Sequence, residues 1–511
     1  MGRDVFYLTT PIYYPNDVPH IGHAYTTVAA DFVARYRRLR GEEVFFLTGT
    51  DEHGKKVPQA ARDRGMDPQA FVDEMEPRWR EVWSRLEIAY DDYIRTTEPR
   101  HEAAVVKLLD AVHGNGHDDI YLGTYEGLYC VSCEAYYTED ELVDGNCPIH
   151  GRPVEAMREE NYFFRLSAYR DRLLEHYRAR PEAIQPESRR NEVLSLIEGG
   201  LRDFSISRTS FAWGVPLPWD PAHVCYVWFD ALTNYVTAAG YADDPDRFAR
   251  LWPANVHLMA KDILRFHAVY WPAMLMAAGV EPPSQVWAHG YLLVGGEKMS
   301  KTKLTGIHPF ELIDHFGVDS YRYYFMREIQ FGQDGSFSWE SMVDRHNADL
   351  ANGLGNLASR VLAMLGSYFD GSVPEPVTGH EADLPEVVGD AVRRYDEHMT
   401  ALALGQALGA VWDVVGRANG YLVEKEPWKT AADEGRREEL ASVLYAAAET
   451  LRILAILVSP IMPGAASRLW GQLGIEESLE SQRLPQAARW GLLPPGTKTS
   501  KGEGLFPRLD S

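Results

Sequence analysis

Hydrophobic and polar positions change period several times along the chain. Asp4 to Thr9 is rich in β-branched and aromatic residues and reads as a short buried strand. From Ala24 to Arg40 apolar residues recur at helical spacing, and the run closes on Arg35, Arg37, Arg38, Arg40 and then Gly41, a helix stop. Glu43–Thr50 is a second buried strand, so strand, helix and strand form a βαβ unit. Pro68 to Tyr90 and Pro99 to Val112 read as amphipathic helices, and Leu122 to Cys133 as strand, turn and strand. Asn161 to Leu166 reads as a strand with a helix after it to about Arg180. Val224 to Tyr235 is a strand turning into a helix. Val256–Ala260 is a strand with a helix opened by Lys261 and Asp262, and the strand Gln285 to His289 precedes a run from Tyr291 to Val294.

The βα alternation stops near residue 115 and resumes near 220. The expected fold is a Rossmann-like α/β catalytic domain, its halves at 1–115 and 221–340, interrupted by an inserted domain at 116–220. After Ser338-Trp339, helical periodicity dominates to about Gly474, with a break at Asp370 to Gly379. An all-α helix bundle with an irregular tail is expected over 341–511.

At 511 residues, about three domains of roughly 150 residues fit the length. The 45% hydrophobic and 24% charged composition is that of an ordinary globular protein. No run approaches the roughly 18 apolar residues that span a bilayer; the longest candidate, around Ile453 to Val458, is too short. The N-terminus lacks a signal pattern, and Phe6 breaks the myristoylation pattern, so a cytoplasmic protein without membrane partners is expected. The net charge of −23 argues against a general nucleic-acid coat protein but leaves a specific RNA partner open, because phosphate contacts depend on local patches.

The candidate chemistry is concentrated in a few stretches. His20, Gly22 and His23 stand where the first strand passes into the first helix. A helix N-terminus favours phosphate, the glycine admits a nucleotide, and the imidazoles can donate to phosphate oxygens; a tight turn with satisfied histidines is the plainer reading. Asp51, at the carboxyl end of the second strand, can hold an ammonium group or cap the next helix. Lys298 and Lys301, in Gly295-Gly296-Glu297-Lys298-Met299-Ser300-Lys301-Thr302, suit a clamp on polyphosphate or a solvated loop. Cys130, Cys133, Cys147 and His150 have the C-x-x-C and C-x-x-H spacing of tetrahedral zinc with no open position, hence structural; a redox pair at Cys130 and Cys133 is weaker. Cys225 reads as core. Trp228 and Tyr235 can line an apolar pocket or be plain core, Ile263 and His267 share a helix face, and Asp262 can accept from a ribose.

The order of these stretches resembles the methionyl-tRNA synthetases, a branch of the class I aminoacyl-tRNA synthetases with HIGH and KMSKS signatures, and the likeness runs over nearly the whole chain. It implies ATP-dependent activation of L-methionine to methionyl-adenylate, with Mg2+ brought by ATP. Transfer to the 3′ end of tRNA(Met), initiator included, then follows. His20, His23, Lys298 and Lys301 would be catalytic, with Gly22, His23, Asp262 and Lys301 holding ATP. The methionine pocket would fall on Ile12, Tyr14, Asp51, Trp228, Ala231, Leu232, Tyr235, Ile263 and His267, where aromatic contact suits a polarizable sulfur. Cys130, Cys133, Cys147 and His150 would hold the single zinc of the one-zinc branch. Asn356, Arg360 and Trp428 would read the CAU anticodon, the tryptophan by stacking. The departures are Thr302 for serine in the second signature and Leu232 where some relatives have proline. The chain also stops soon after the bundle, without the added RNA-binding barrel by which some relatives dimerise, so a monomer is expected. Synthetases for leucine or valine would carry a larger editing insertion than this length allows. A non-catalytic tRNA-binding protein would not need both phosphate-handling motifs.

Overall fold

The computed structural model describes residues 5–131, 135–137, 139–149, 151–294, 297–298, 307–377 and 383–510. The chain divides into two units: one of residues 1–30, 43–291 and 300–309, the other of 31–42, 292–299 and 310–511.

In the first unit the strands are, in chain order, β1 (Val5–Tyr13), β2 (Glu43–Thr50), β3 (Asp92–Arg95), β4 (Ile120–Cys130), β5 (Ala135–Tyr137), β6 (Glu155–Phe164), β7 (Ile184–Gln185), β8 (Phe204–Ser205), β9 (Ser207–Arg208), β10 (Pro216–Leu217), β11 (Asp220–Cys225), β12 (Val256–Ala260) and β13 (Val286–His289). Six of them make a parallel sheet in the order β3-β2-β1-β12-β13-β7. Its central strands are buried over most of their length, which is why they read as mainly hydrophobic runs, with Thr9, Thr10 and His257 the buried polar exceptions in β1 and β12. The chain builds outward from β1 through β2 to β3, then returns to the other side of β1 with β12. The topological switch point therefore lies between β1 and β12, the place where ligands of open parallel sheets bind.

Three local expectations are corrected. The first strand does not stop at Thr9: β1 continues to Tyr13 through a register shift between Thr9 and Ile12, and a bulge accommodates Pro11, which has no N–H for the ladder. Residues 120–130 are one strand, not two with a turn, because β4 pairs antiparallel with β6 without a break from Ile120↔Phe164 to Tyr129↔Glu155. Gly123 lies inside that ladder, where a Cβ would come within 3.3 Å of the Phe163 ring. Finally, β7 comes from the span between the two βα halves, yet pairs parallel with β13 at the sheet edge. A strand of two residues carries no periodic signal.

In the second unit helices begin earlier than 340, at Pro309–Phe316 and Val318–Glu328. A π-helical segment, His346–Gly355, leads directly into the helix Asn356–Phe369. Its wide turn frees carbonyls that a neighbouring helix satisfies: Trp412 Nε1 donates to Asp349 O (3.2 Å) and Asn419 Nδ2 to Gly353 O (3.3 Å). The helix Arg437–Val458 is the core of this unit. Among the described helices the span Glu434–Val458 is long and apolar enough to cross a membrane by length and composition, but its apolar window is wholly buried. Buried Glu449 and Arg452 on this helix fasten the irregular tail. The carboxylate accepts from the N–H groups of Gly491, Leu492 and Leu493, and the guanidinium donates to the carbonyls of Ala487 and Arg489.

Candidate active site

The switch point of the sheet gathers most of the singled-out residues. Asp51 follows β2 and is buried; its N–H donates to the carbonyl of Tyr13 at the end of β1 (2.8 Å). Ile12 and Tyr14, around the same strand end, are half-buried and pack on the core that includes Leu232 and Tyr235, as do Trp228 and Ile263. The Lys56 ammonium stands 3.8 Å from the Tyr14 ring centroid.

The helix Val227–Ala238 supplies the facing wall. Ala231, Leu232 and Tyr235 are buried, while Trp228 is half-buried and stacks on Phe266 at 3.9 Å with the rings 3° apart. After β12 the backbone makes a 3-10 turn over Lys261–Ile263, which carries the half-buried Asp262, and then a π turn over Phe266–Tyr270. His267 lies in that π turn. Its Nδ1 is 3.0 Å from the Ile263 carbonyl, which can only accept, so the ring carries its proton there. Nε2 is then an acceptor, and the Tyr235 hydroxyl 2.7 Å away donates to it. Burial pulls the His267 pKa down to about 4, against a smaller opposing effect of the Ile263 carbonyl, so the imidazole is neutral at neutral pH. Tyr7 donates to the Tyr235 carbonyl (2.7 Å) and fixes that residue from the sheet side.

His20 precedes the helix Ile21–Leu39, and His23 lies in its first turn. Their rings stack at 3.7 Å. His23 Nδ1 accepts from the His20 N–H (3.2 Å), and His20 Nδ1 accepts from the Gly22 N–H (3.1 Å). With each Nδ1 an acceptor, the proton of each neutral ring sits on Nε2, which makes Nε2 the donor. A Cβ at Gly22 would meet the His20 ring at 3.0 Å, so the glycine permits this histidine pose. Lys298 belongs to the second unit, in the strand Glu297–Lys298 paired with Leu292–Val294; its side chain and all of Lys301 lie outside the described residues.

Of the four proposed metal ligands, Cys130 ends β4 and Cys147 sits in a turn closed by a hydrogen bond from the Gly151 N–H to the Cys147 carbonyl (2.8 Å). Both thiols are buried, with 1% exposure each, and neither is in a disulfide, a donor chemistry that fits zinc. Cys133 and His150 lie outside the described residues. Cys225 is core, as expected.

In the second unit Asn356 is exposed at the start of its helix, and Arg360 lies one turn further on. The Arg360 guanidinium stands 5.5 Å from the ring centroid of Trp428, which is 41% exposed. The fold thus pairs two of the three predicted base-reading side chains, and each leaves surface for a ligand.

Sequence reasoning missed a buried cluster centred on Asp230, on the helix that carries Trp228 and Tyr235. Asp230 accepts from His53 Nδ1 and from His101 Nε2, each at 2.6 Å. A signal was present: a carboxylate in an apolar helical turn must find partners when buried.

Known proteins point the same way. The family model for class I tRNA synthetases (M) matches residues 6–156 and 141–362, and that for the anticodon binding domain of methionyl tRNA ligase matches 373–511. The methionine–tRNA ligase of Streptomyces coelicolor is 51% identical, over all of this chain and 97% of its own. That of Caldanaerobacter subterraneus is 50% identical, over 99% of this chain and 79% of its own. The structure of Mycobacterium tuberculosis methionyl-tRNA synthetase in complex with methionyl-adenylate superposes with a TM-score of 0.93, at 45% identity, over 99% of this chain and all of that one. With a parallel sheet of this order, these residues at its switch point and a helical unit matched by the anticodon-binding model, the chain belongs to the methionyl-tRNA synthetases of class I.

Proposed function

We propose that the protein activates L-methionine with Mg-ATP and transfers it to the 3′ end of tRNA(Met), initiator tRNA included. The observation that carries this is the pairing of one buried carboxylate, Asp51, with a wall that offers rings and the neutral Tyr235–His267 pair. A substrate with an ammonium group and an uncharged, polarizable side chain matches that distribution, since a charged side chain would be desolvated there without a counter-ion.

In the first step a methionine carboxylate oxygen attacks the α-phosphorus of ATP, and pyrophosphate leaves. In the second, a ribose hydroxyl of the tRNA end attacks the activated carbonyl, and AMP leaves. No covalent enzyme intermediate is needed, so positioning and charge stabilisation supply the rate. Asp51 holds the ammonium; Ile12, Tyr14, Trp228, Ala231, Leu232, Tyr235, Ile263 and His267 enclose the side chain. His20 and His23 donate from Nε2 to phosphate oxygens, Gly22 admits the nucleotide, Asp262 accepts from the ribose, and Lys298 and Lys301 draw off the pyrophosphate. Mg2+ arrives with ATP and neutralises phosphate charge. Cys130, Cys133, Cys147 and His150 would hold one zinc, whose contribution is to fix the inserted segment, not to react. Asn356, Arg360 and Trp428 read the anticodon.

The domains on this reading are catalytic halves at 1–115 and 221–340, an insertion at 116–220 and an anticodon-binding region at 341–511, in a cytoplasmic monomer. Amino-acid-dependent ATP–pyrophosphate exchange across the twenty amino acids is the test. Exchange driven by methionine alone is expected; equal exchange with another amino acid would overturn the assignment.

A further inference from the structure

One buried carboxylate joins three elements. Asp230 lies in the first turn of the helix Val227–Ala238, the same helix that carries Trp228, Ala231, Leu232 and Tyr235. Its Oδ2 accepts from His53, two residues after Asp51 beyond the end of β2. Its Oδ1 accepts from His101 on the helix Pro99–His113, whose other ring nitrogen is 3.2 Å from Thr237 Oγ1. His53, His101 and Asp230 are all buried, and none belongs to the groups assigned above to substrate.

The loop carrying His53 is fixed on its other side as well. The Glu52 carboxylate accepts from Thr50 (2.8 Å), Arg95 (2.7 Å) and Thr97, and the Glu52 carbonyl accepts from Trp213 Nε1 (2.6 Å). The Trp213 ring then covers His53 edge-on at 5.7 Å.

We propose that His53, acting through Asp230, is a positioning residue that sets the span of the amino-acid pocket. The 2.6 Å bond ties the strand end bearing Asp51, the ammonium anchor, to the helix bearing the wall around the side chain. A substrate of the right length must bridge those two points. Because the link is one short hydrogen bond between buried groups, it holds their separation far more tightly than apolar packing alone. The bond from His101 makes the same demand on Asp230 but does not touch the loop of Asp51, so its loss should cost stability without changing the span.

This inference rests on the methionine reading of the pocket, and the experiment separates the two. The full chain is compared as wild type, His53→Leu, His53→Asn and His101→Leu, in pyrophosphate exchange with methionine and with ethionine, one methylene longer. Wild type should prefer methionine by about tenfold or more, the discrimination one methylene supports in an apolar pocket. His53→Leu is expected to raise KM for methionine about tenfold and to reduce the methionine-to-ethionine ratio of kcat/KM, with KM for ATP within about twofold of wild type. His53→Asn keeps a donor at the Nδ1 position and should restore the ratio at least in part. His101→Leu should lower the melting temperature and leave the ratio unchanged. A ratio unmoved in His53→Leu, or moved equally in His101→Leu, overturns the proposal. Should His53→Leu not accumulate folded, His53→Gln, which displaces the donor by one bond, is read by the same criteria. A wild type driven by an amino acid other than methionine overturns the reading of the pocket instead.

Discussion

Replacing Tyr235 by Phe removes one oxygen from the wall of the pocket. That oxygen donates to His267 Nε2 at 2.7 Å, in a place where both side chains are buried. His267 keeps its bond from Nδ1 to the Ile263 carbonyl, so the ring stays in the same tautomer and Nε2 loses its donor. Leaving a buried neutral acceptor unsatisfied costs about 1–3 kcal/mol. If that cost falls on the occupied pocket, KM for methionine rises roughly 5- to 150-fold, at tenfold per 1.4 kcal/mol. The bond that Tyr7 donates to the Tyr235 carbonyl involves backbone and is untouched, so the helix should hold its place. Methionine-dependent pyrophosphate exchange is the assay, with KM for ATP as the internal control, expected within about twofold of wild type. A KM for methionine that stays within about twofold would refute the reasoning, because the hydroxyl would then not be what keeps His267 in place.

Asp230 gives a pH-dependent prediction with a defined sign. Burial raises its pKa, but the charge of His53 and the bonds from His101 and His53 outweigh this and hold it at about 2, below the ordinary aspartate value. The group therefore contributes stability above its unfolded pKa, on the order of 2 kcal/mol, and loses it as pH falls through about 2. Thermal unfolding should show the gap between wild type and Asp230→Asn narrowing over that acid window, and a constant gap would contradict the ion pair. His53 has the opposite sign: burial lowers its pKa, but Asp230, Glu102 and Glu52 more than reverse this, so its contribution is complete below the ordinary histidine value and fades as pH rises through the raised one. Trp428→Ala should reduce kcat/KM for tRNA(Met) about fivefold or more, from a base stack worth roughly 1–3 kcal/mol, while pyrophosphate exchange is unchanged; loss of both activities would argue for misfolding instead. Cys147→Ser should lower zinc content measured by atomic emission, with Cys225→Ser as a control that keeps its metal; equal zinc in both would remove Cys147 from the ligand set.

Much of the fold was legible because it is written locally. Glu43–Thr50 and Val256–Ala260 have the bounds read from their mainly apolar runs, since a strand buried on both faces is mostly apolar and takes only a few polar residues such as Thr48 and His257. The helix Pro99–His113 and the helical character of the second unit follow from the 3.6-residue period in the same way. The turn of His20, Gly22 and His23 and the cysteine spacing could be found without coordinates, because sterics and ligand geometry constrain neighbours in sequence. Pro11 hid the true length of β1, and the two residues of β7 were too few to carry a period.

What the sequence by itself determined was where candidate chemistry stands along the chain and the bounds of those strands and helices that have a strong period. Tertiary structure alone decided which of them meet. Asp230 takes His53 and His101 as partners across 177 and 129 residues, and His267 becomes a neutral acceptor only because burial, the Ile263 carbonyl and the Tyr235 hydroxyl converge on it. The reason is physical: periodicity and sterics act between neighbours, whereas the charge state and partner of a buried polar group depend on what the folded chain brings beside it.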